Sequence, residues 1–308
     1  MWFPQTYKAS YLLARFRHLI VMHRRLGFLF LTKMVVLGIR KRSKNRLNYL
    51  LKKHQYPQHL VYVAGLGNSG SGWMANLHSS LPGFAQFSPV KWNQTYLQGE
   101  INEHALYAGA FEELSGKLVV VKSHSYGTLE NATLLKATGL KYIITVRDPR
   151  DTIISQYWHI RRTPYHIDYS LATQYSLQDY IAQKLFSGSF EKTILTWIRG
   201  WLQNRDPHRS IIIRYEDMLN NTHFHWKRIL SFLKFEVDDR TVQEIVDLHS
   251  FERKTGRKPG HEDTSQVQRT GISGEWKSVF SRSLKHRFSQ CGEDVIEALG
   301  YEPTLLGL

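Results

Sequence analysis

Two groups of residues in this 308-residue chain have the types and spacing to handle an anionic substrate. The first is Gly65-Leu-Gly67-Asn68-Ser69-Gly70-Ser71-Gly72-Trp73, directly after the apolar run Leu60–Gly65. Glycines let a backbone approach an anion, and a helix starting here would offer unpaired N–H groups, with Ser69 and Ser71 adding hydroxyl donors. A phosphate or sulfonate suits such a loop. The second group is Lys122-Ser-His124, which ends another apolar run. Alternation along a strand sends residues i and i+2 to one face, so the two side chains would act together. An imidazole with the ordinary pKa near 6.5 serves as a general base at neutral pH, worth about 10²–10⁴ in rate. Lys122 would neutralise charge on a bridging oxygen or a leaving group.

The glycine loop alone does not name its anion. Gly65-Leu-Gly67-Asn68-Ser69-Gly70 matches the dinucleotide pattern G-x-G-x-x-G, which asks for an acidic residue about 20 positions on to hold a ribose. No Asp or Glu occurs between Gly72 and Gly99. A nucleoside-triphosphatase loop needs G-K-[ST], and no lysine is present in this one.

Positioning these groups requires strands that alternate with helices. Strands are expected at Leu60–Gly65, 118–122, Tyr142–Val146 and 210–215, each a short apolar run with β-branched residues. Helices are expected over 71–81, from Pro149 through Arg161, and over 226–233, 241–249 and 283–299; residues 252–273 read as a long polar loop. The fold class is therefore α/β, a central parallel sheet with helices on both faces and a P-loop-like phosphate-binding loop.

Apolar residues make up 42% of the chain and charged residues 22%, which excludes a collagen, a disordered tail and a polytopic membrane protein. The single cysteine, Cys291, excludes an internal disulfide and a cysteine-based zinc site. It points to a reducing, cytoplasmic setting or to independence from oxidation. Of the 41 Lys and Arg, thirteen fall in residues 1–59, where there is no acid; the other 28 are set against all 26 acidic residues. The basic balance thus belongs to an N-terminal extension, residues 1–59, ahead of a body at 60–308. Two readings of the extension stand side by side. Its helices pack on the body with Lys and Arg reaching solvent, or one lies peripherally in an anionic membrane interface through Phe28, Phe30, Leu31, Val35 and Leu37. Nothing else on the chain supports nucleic-acid reading.

Taken in order, Lys122-Ser-His124, Arg147-Asp-Pro-Arg-Asp151-Thr-Ile-Ile-Ser155, Arg214-Tyr215-Glu216-Asp217-Met218, His249-Ser250-Phe251 and Arg269-Thr270-Gly271-Ile-Ser-Gly274-Glu-Trp276-Lys277 resemble the sulfotransferases that use 3′-phosphoadenosine 5′-phosphosulfate, PAPS. The resemblance runs from about Leu60 to Ser281. It implies PAPS as co-substrate, no metal, and an acceptor bearing a hydroxyl or amine. By resemblance, Asn68, Ser69, Gly70, Ser71 and Gly72 hold the 5′-phosphosulfate, and Arg147 and Ser155 hold the 3′-phosphate. Arg269, Thr270 and Gly271 close over the same pocket, and Trp73 stacks on adenine with Tyr215, Ser250 and Phe251 around its edges. His124 and Lys122 are the implied catalytic pair. One departure is plain: the family loop usually reads Lys-Ser-Gly-Thr-Thr-Trp, whereas here Asn68 replaces the lysine and Gly72 the second hydroxyl residue. The departure leaves an alternative, a catalytically weak nucleotide-binding protein of the same fold recruited to a membrane or polyanion. Acceptor-binding loops are expected around 84–99 and 161–180, the latter carrying Tyr165, Tyr169 and Tyr175.

Overall fold

The computed structural model describes residues 47, 49–87, 106, 111, 114–164 and 166–305. Its strands β1 (Leu60–Gly65), β2 (Ala85–Gln86), β3 (Val119–Ser123), β4 (Tyr142–Val146) and β5 (Ser210–Arg214) pair in parallel in the order β2-β3-β1-β4-β5. Every residue of β1 and β4 is buried, as befits strands covered on both faces. Alternate residues feed opposite cores. Leu60, Tyr62, Ala64, Tyr142 and Ile144 enter one apolar cluster, and Val61, Val63 and Ile143 enter the other.

The helices, in chain order, are α1 (Ser71–Ser79), α2 (Leu129–Thr138), α3 (Pro149–Arg161), α4 (Tyr169–Gln174), α5 (Leu177–Phe186), α6 (Thr196–Asn204), α7 (Tyr215–Asn220), α8 (Thr222–Leu233), α9 (Asp239–Leu248), α10 (Phe251–Thr255), α11 (Trp276–Val279) and α12 (Arg282–Ala298). A π-helical turn, Glu191–Leu195, leads into α6. Leu135, Ile153, Ile181, Trp201 and Phe288 bring α2, α3, α5, α6 and α12 onto one face of the sheet. Leu77, Trp226 and Ile245 bring α1, α8 and α9 onto the other. Because the strands are parallel, residues 66–70, His124, Arg147 and Tyr215 all leave the sheet at the same carboxyl edge, where open α/β sheets bind ligands.

Several expectations change. The segment 161–180 is not a plain loop: it holds α4 and the start of α5, with Ala172 and Tyr180 buried. The segment 252–273 opens within a helix, α10, before the chain becomes irregular. Helices α2, α5 and α6 had no counterpart in the periodicity. Two of them carry capping signals nonetheless, since Thr128 accepts from Asn131 N and Ser176 from Asp179 N.

Tyr56 and Gln58, at the end of the expected extension, are tied to the body. Tyr56 is buried against Phe84 and Phe235, and its hydroxyl donates to the Pro82 carbonyl at 2.9 Å. The Gln58 amide spans the carbonyls of Leu60 and Lys141. Phe28, Phe30, Leu31, Val35 and Leu37 lie outside the described residues, as do Tyr165 and most of 84–99. Among the described residues no helix is long and apolar enough to cross a membrane.

Candidate active site

The glycine loop is shaped by close packing. A Cβ on Gly65 would fall 2.2 Å from the Ser71 Cβ, so only glycine lets α1 begin against the end of β1. Asn68 and Gly70 take left-handed backbone angles, φ 63° and 79°, which turn the chain into the helix. No side chain caps α1 and its first turn has no acid, so its leading N–H groups remain available to an anion.

The serines divide in role. Ser69 is buried and faces inward, its Oγ 2.6 Å from the Leu66 carbonyl and 2.9 Å from the Thr145 hydroxyl, which pins the loop to β4. Ser71, buried, packs at the helix start beside Gly65. At Gly72 a Cβ would meet nothing within 4 Å, so the position has open space.

His124 sits one residue past the end of β3, beside this loop. Its Nδ1 lies 2.5 Å from the Gly65 carbonyl. A carbonyl only accepts, so Nδ1 carries the proton and Nε2 is the basic nitrogen of the neutral ring. The Trp197 indole N–H donates to the His124 carbonyl at 3.1 Å and fixes the backbone there. Lys122 is the exposed residue of β3, yet protein atoms crowd its ammonium, and the loss of hydration lowers its pKa.

Arg147, Tyr215, Gly70 and Trp73 form one contact group. The Arg147 guanidinium lies 4.6 Å from the Tyr215 ring centroid. That ring in turn sits 2.8 Å from where a Gly70 Cβ would be and meets Trp73 edge-on, centroids 6.3 Å apart. Arg147 is 6% exposed, and its partners are weak: Asp151 at 3.7 Å and the Ile272 carbonyl at 3.3 Å. Arg147 Nε and Trp73 Nε1 are buried without a hydrogen-bond partner. Orphaned donors of this kind are expensive unless a ligand meets them.

The irregular chain after α10 lies along α3. Arg147 and Arg162 donate to the carbonyls of Ile272 and Thr264. Asp151 accepts from Gly274 N at 2.6 Å and Trp276 N at 3.0 Å, and the Arg269 guanidinium lies 5.6 Å from the Trp158 ring. Within α3, Asp151 and Trp158 share a helical face with Ser155, and Arg147 and Arg162 flank the helix at its two ends. Gly271 is fitted to Phe251, where a Cβ would be 2.5 Å from the ring. The Thr270 side chain is buried and its carbonyl accepts from Gly260 N. Two expected ligands are engaged elsewhere. Arg269 is paired with Glu262 and Glu275, and Ser250 caps α10 by accepting from Arg253 N.

A family model for the sulfotransferase domain matches residues 58–300. The chain belongs to the sulfotransferase family. Cytosolic sulfotransferase 12 of Arabidopsis thaliana is 27% identical over 178 residues, 54% of this chain and 53% of that protein. Sulfotransferase 1A1 of Canis lupus familiaris is 26% identical over 179 residues, 55% and 59% of the two chains. The aligned region spans little more than half the length of these curated relatives. Mouse sulfotransferase SULT7A1, solved complexed with PAP, superposes with a TM-score of 0.60 at 17% identity, covering 82% of this chain and 91% of that one. It shares the fold.

Residues to which the sequence assigned no role also meet at the site. Thr145 holds Ser69, and Asp151 holds the chain that crosses Arg147. Glu216 accepts from Asp148 N at 3.0 Å and from the Tyr301 hydroxyl at 2.7 Å, bracing the turn that carries Arg147; burial raises its pKa. His159, one turn beyond Ser155, lies within the field of Lys122. Among the described residues no group of His, Cys, Asp or Glu could hold a metal ion.

Proposed function

We propose that this protein transfers the sulfuryl group of PAPS to a hydroxyl or amine acceptor. The observation that supports this reading most is the short contact between His124 Nδ1 and the Gly65 carbonyl, at the loop that leads into the uncapped N-terminus of α1. PAPS supplies the sulfuryl group and leaves as the 3′,5′-bisphosphate. His124 Nε2 takes the acceptor proton as the acceptor oxygen bonds to sulfur and the bond from sulfur to the 5′-phosphate oxygen breaks. The N–H groups of α1 and the Lys122 ammonium stabilise charge on the departing phosphate. Arg147, just ahead of α3, and Ser155 within it bind the 3′-phosphate, and the orphaned Arg147 Nε and Trp73 Nε1 support a nucleotide there. Arg269, Thr270 and Gly271 close the pocket once Arg269 exchanges its carboxylate partners for phosphate.

The test is transfer of labelled sulfate from PAPS to a panel of phenols, alcohols and amines. The His124→Ala variant should lose at least about a hundredfold in kcat while its affinity for 3′-phosphoadenosine 5′-phosphate stays within a few fold. A variant that keeps more than about a tenth of wild-type kcat removes His124 from the role of general base.

A further inference from the structure

The segment that carries His124 is held from outside the sheet. Pairing of β3 with β1 ends at Ser123 and Ala64, and the chain beyond leaves the ladder. Buried carbonyls still need donors, and here side chains supply them. The Trp197 indole N–H donates to the His124 carbonyl at 3.1 Å, the Trp201 indole N–H to the Ser125 carbonyl at 3.0 Å, and the Asn204 amide to the Gly127 carbonyl at 2.8 Å. The three donors stand at i, i+4 and i+7, on one face of α6. The remaining carbonyl of the run, at Tyr126, accepts from the Asn131 amide of α2 at 2.9 Å.

Two glycines set the distance between α6 and this segment. A Cβ on Gly127 would lie 2.3 Å from the Trp201 backbone nitrogen, and one on Gly200 would lie 2.9 Å from the Gly127 carbonyl oxygen. Helix and segment therefore meet backbone to backbone, close enough for the short Asn204 side chain to reach. Helix α6 is itself anchored. Arg199 grips Asp294 of α12 with two contacts of 2.8 Å and donates to the Cys291 carbonyl at 2.6 Å. Trp201 is fully buried and packs on Tyr142 of β4, ring centroids 5.9 Å apart. Apolar side chains would fill the same volume. Three donors aimed at a run of carbonyls also fix the direction in which the chain leaves the strand, because hydrogen bonds are directional.

We propose that α6 is the template that aims His124, and that Gly200 and Asn204 are positioning residues for sulfuryl transfer. The proposal rests on the reading of His124 as general base above. The backbone at His124, held by Trp197, brings the ring to the Gly65 carbonyl. That contact keeps the proton on Nδ1 and leaves Nε2 to take the acceptor proton. A segment released from α6 lets the ring turn, populates the other tautomer and carries the basic nitrogen away from the acceptor. A displacement of about 1 Å at a reacting group costs about a hundredfold in rate.

Three variants test this. Asn204→Leu keeps the shape of the side chain and removes the donor. Asn204→Asp sets an acceptor against the Gly127 carbonyl. Gly200→Ala pushes the two backbones apart and leaves every donor in place; if it does not fold, the two Asn204 variants carry the test. Rates are read with labelled PAPS and the panel of phenols, alcohols and amines. In each variant kcat should fall at least about tenfold, while affinity for 3′-phosphoadenosine 5′-phosphate by calorimetry stays within about threefold. The same substitutions made in His124→Ala should change kcat by less than about twofold, because they act through His124. Nitrogen-15 NMR of histidine-labelled protein saturated with 3′-phosphoadenosine 5′-phosphate reads the tautomer directly, with His124→Ala identifying the resonance. Wild type should show Nδ1–H, and the Asn204 variants a mixture of the two tautomers. Wild-type kcat or an unchanged tautomer in the Asn204 variants overturns the inference, and the tautomer decides even where no acceptor is sulfated. Equal losses of kcat in the wild-type and His124→Ala backgrounds also overturn it, and make α6 a general scaffold. A His124→Ala protein that keeps its kcat fails the general-base reading instead.

Discussion

Arg147→Ala separates a ligand-binding arginine from a structural one. Without nucleotide the guanidinium is almost fully enclosed, yet it has one long hydrogen bond at 3.3 Å, one ion pair at 3.7 Å and an orphaned Nε. Asp151, its ion-pair partner, would not be stranded by the truncation, because it keeps the N–H groups of Gly274 and Trp276. The variant should therefore fold, with a loss of stability that comes from lost packing on Tyr215. Its binding loss should be larger. A charge-assisted contact to phosphate contributes about 1.5–3 kcal/mol, so affinity for 3′-phosphoadenosine 5′-phosphate should fall roughly 10- to 150-fold. Affinity for adenosine 5′-phosphate, which lacks the 3′-phosphate, should change by less than about threefold, because no charge-assisted contact is lost. Arg147→Lys should lie between, keeping the charge and losing the fork. Calorimetry with both nucleotides on all three proteins reads the difference, and thermal melts check folding. Equal losses for the two nucleotides, alongside a large fall in Tm, would refute the reasoning and leave Arg147 as a brace for the chain around Ile272.

Asn68→Lys should raise kcat, since it adds a cation where charge moves onto the leaving phosphate, and should lower Tm slightly because lysine tolerates the left-handed angle less well than asparagine. A fall in kcat would mean that Lys122 already fills that electrostatic role. His78 is fully buried and burial lowers its pKa to about 4; its Nδ1 donates to the Met74 carbonyl at 2.9 Å. The unfolded chain, with an ordinary histidine near 6.5, binds the proton first, so the stability from His78 is intact above about pH 6.5 and drains away toward pH 4, on the order of 3 kcal/mol in all. Urea unfolding at pH 7 and pH 5 should show a smaller pH-dependent loss for His78→Gln than for wild type, and equal losses would dismiss His78 as the source.

The backbone frame and the order of the chemistry were readable from residues alone. Leu60–Gly65 and Tyr142–Val146 are mostly apolar runs because parallel central strands are buried on both faces, and such runs need no tertiary information to recognise. The glycine loop was equally plain, since its positive angles and its close approach to Ser71 require particular residues at particular positions. Helix α2 was missed because Ala132 and Leu135 give it only a thin apolar face, and α4 because its polar positions read as loop. The sequence also could not tell that Ser69 turns inward to Thr145, that Arg269 is held by two glutamates, or that Lys122 and His159 share one field. Periodicity, caps and turns are local properties written in neighbouring residues. Which way a hydroxyl points, and which charges meet across 37 positions of chain, is set by how strands and helices cross, and so by the whole fold.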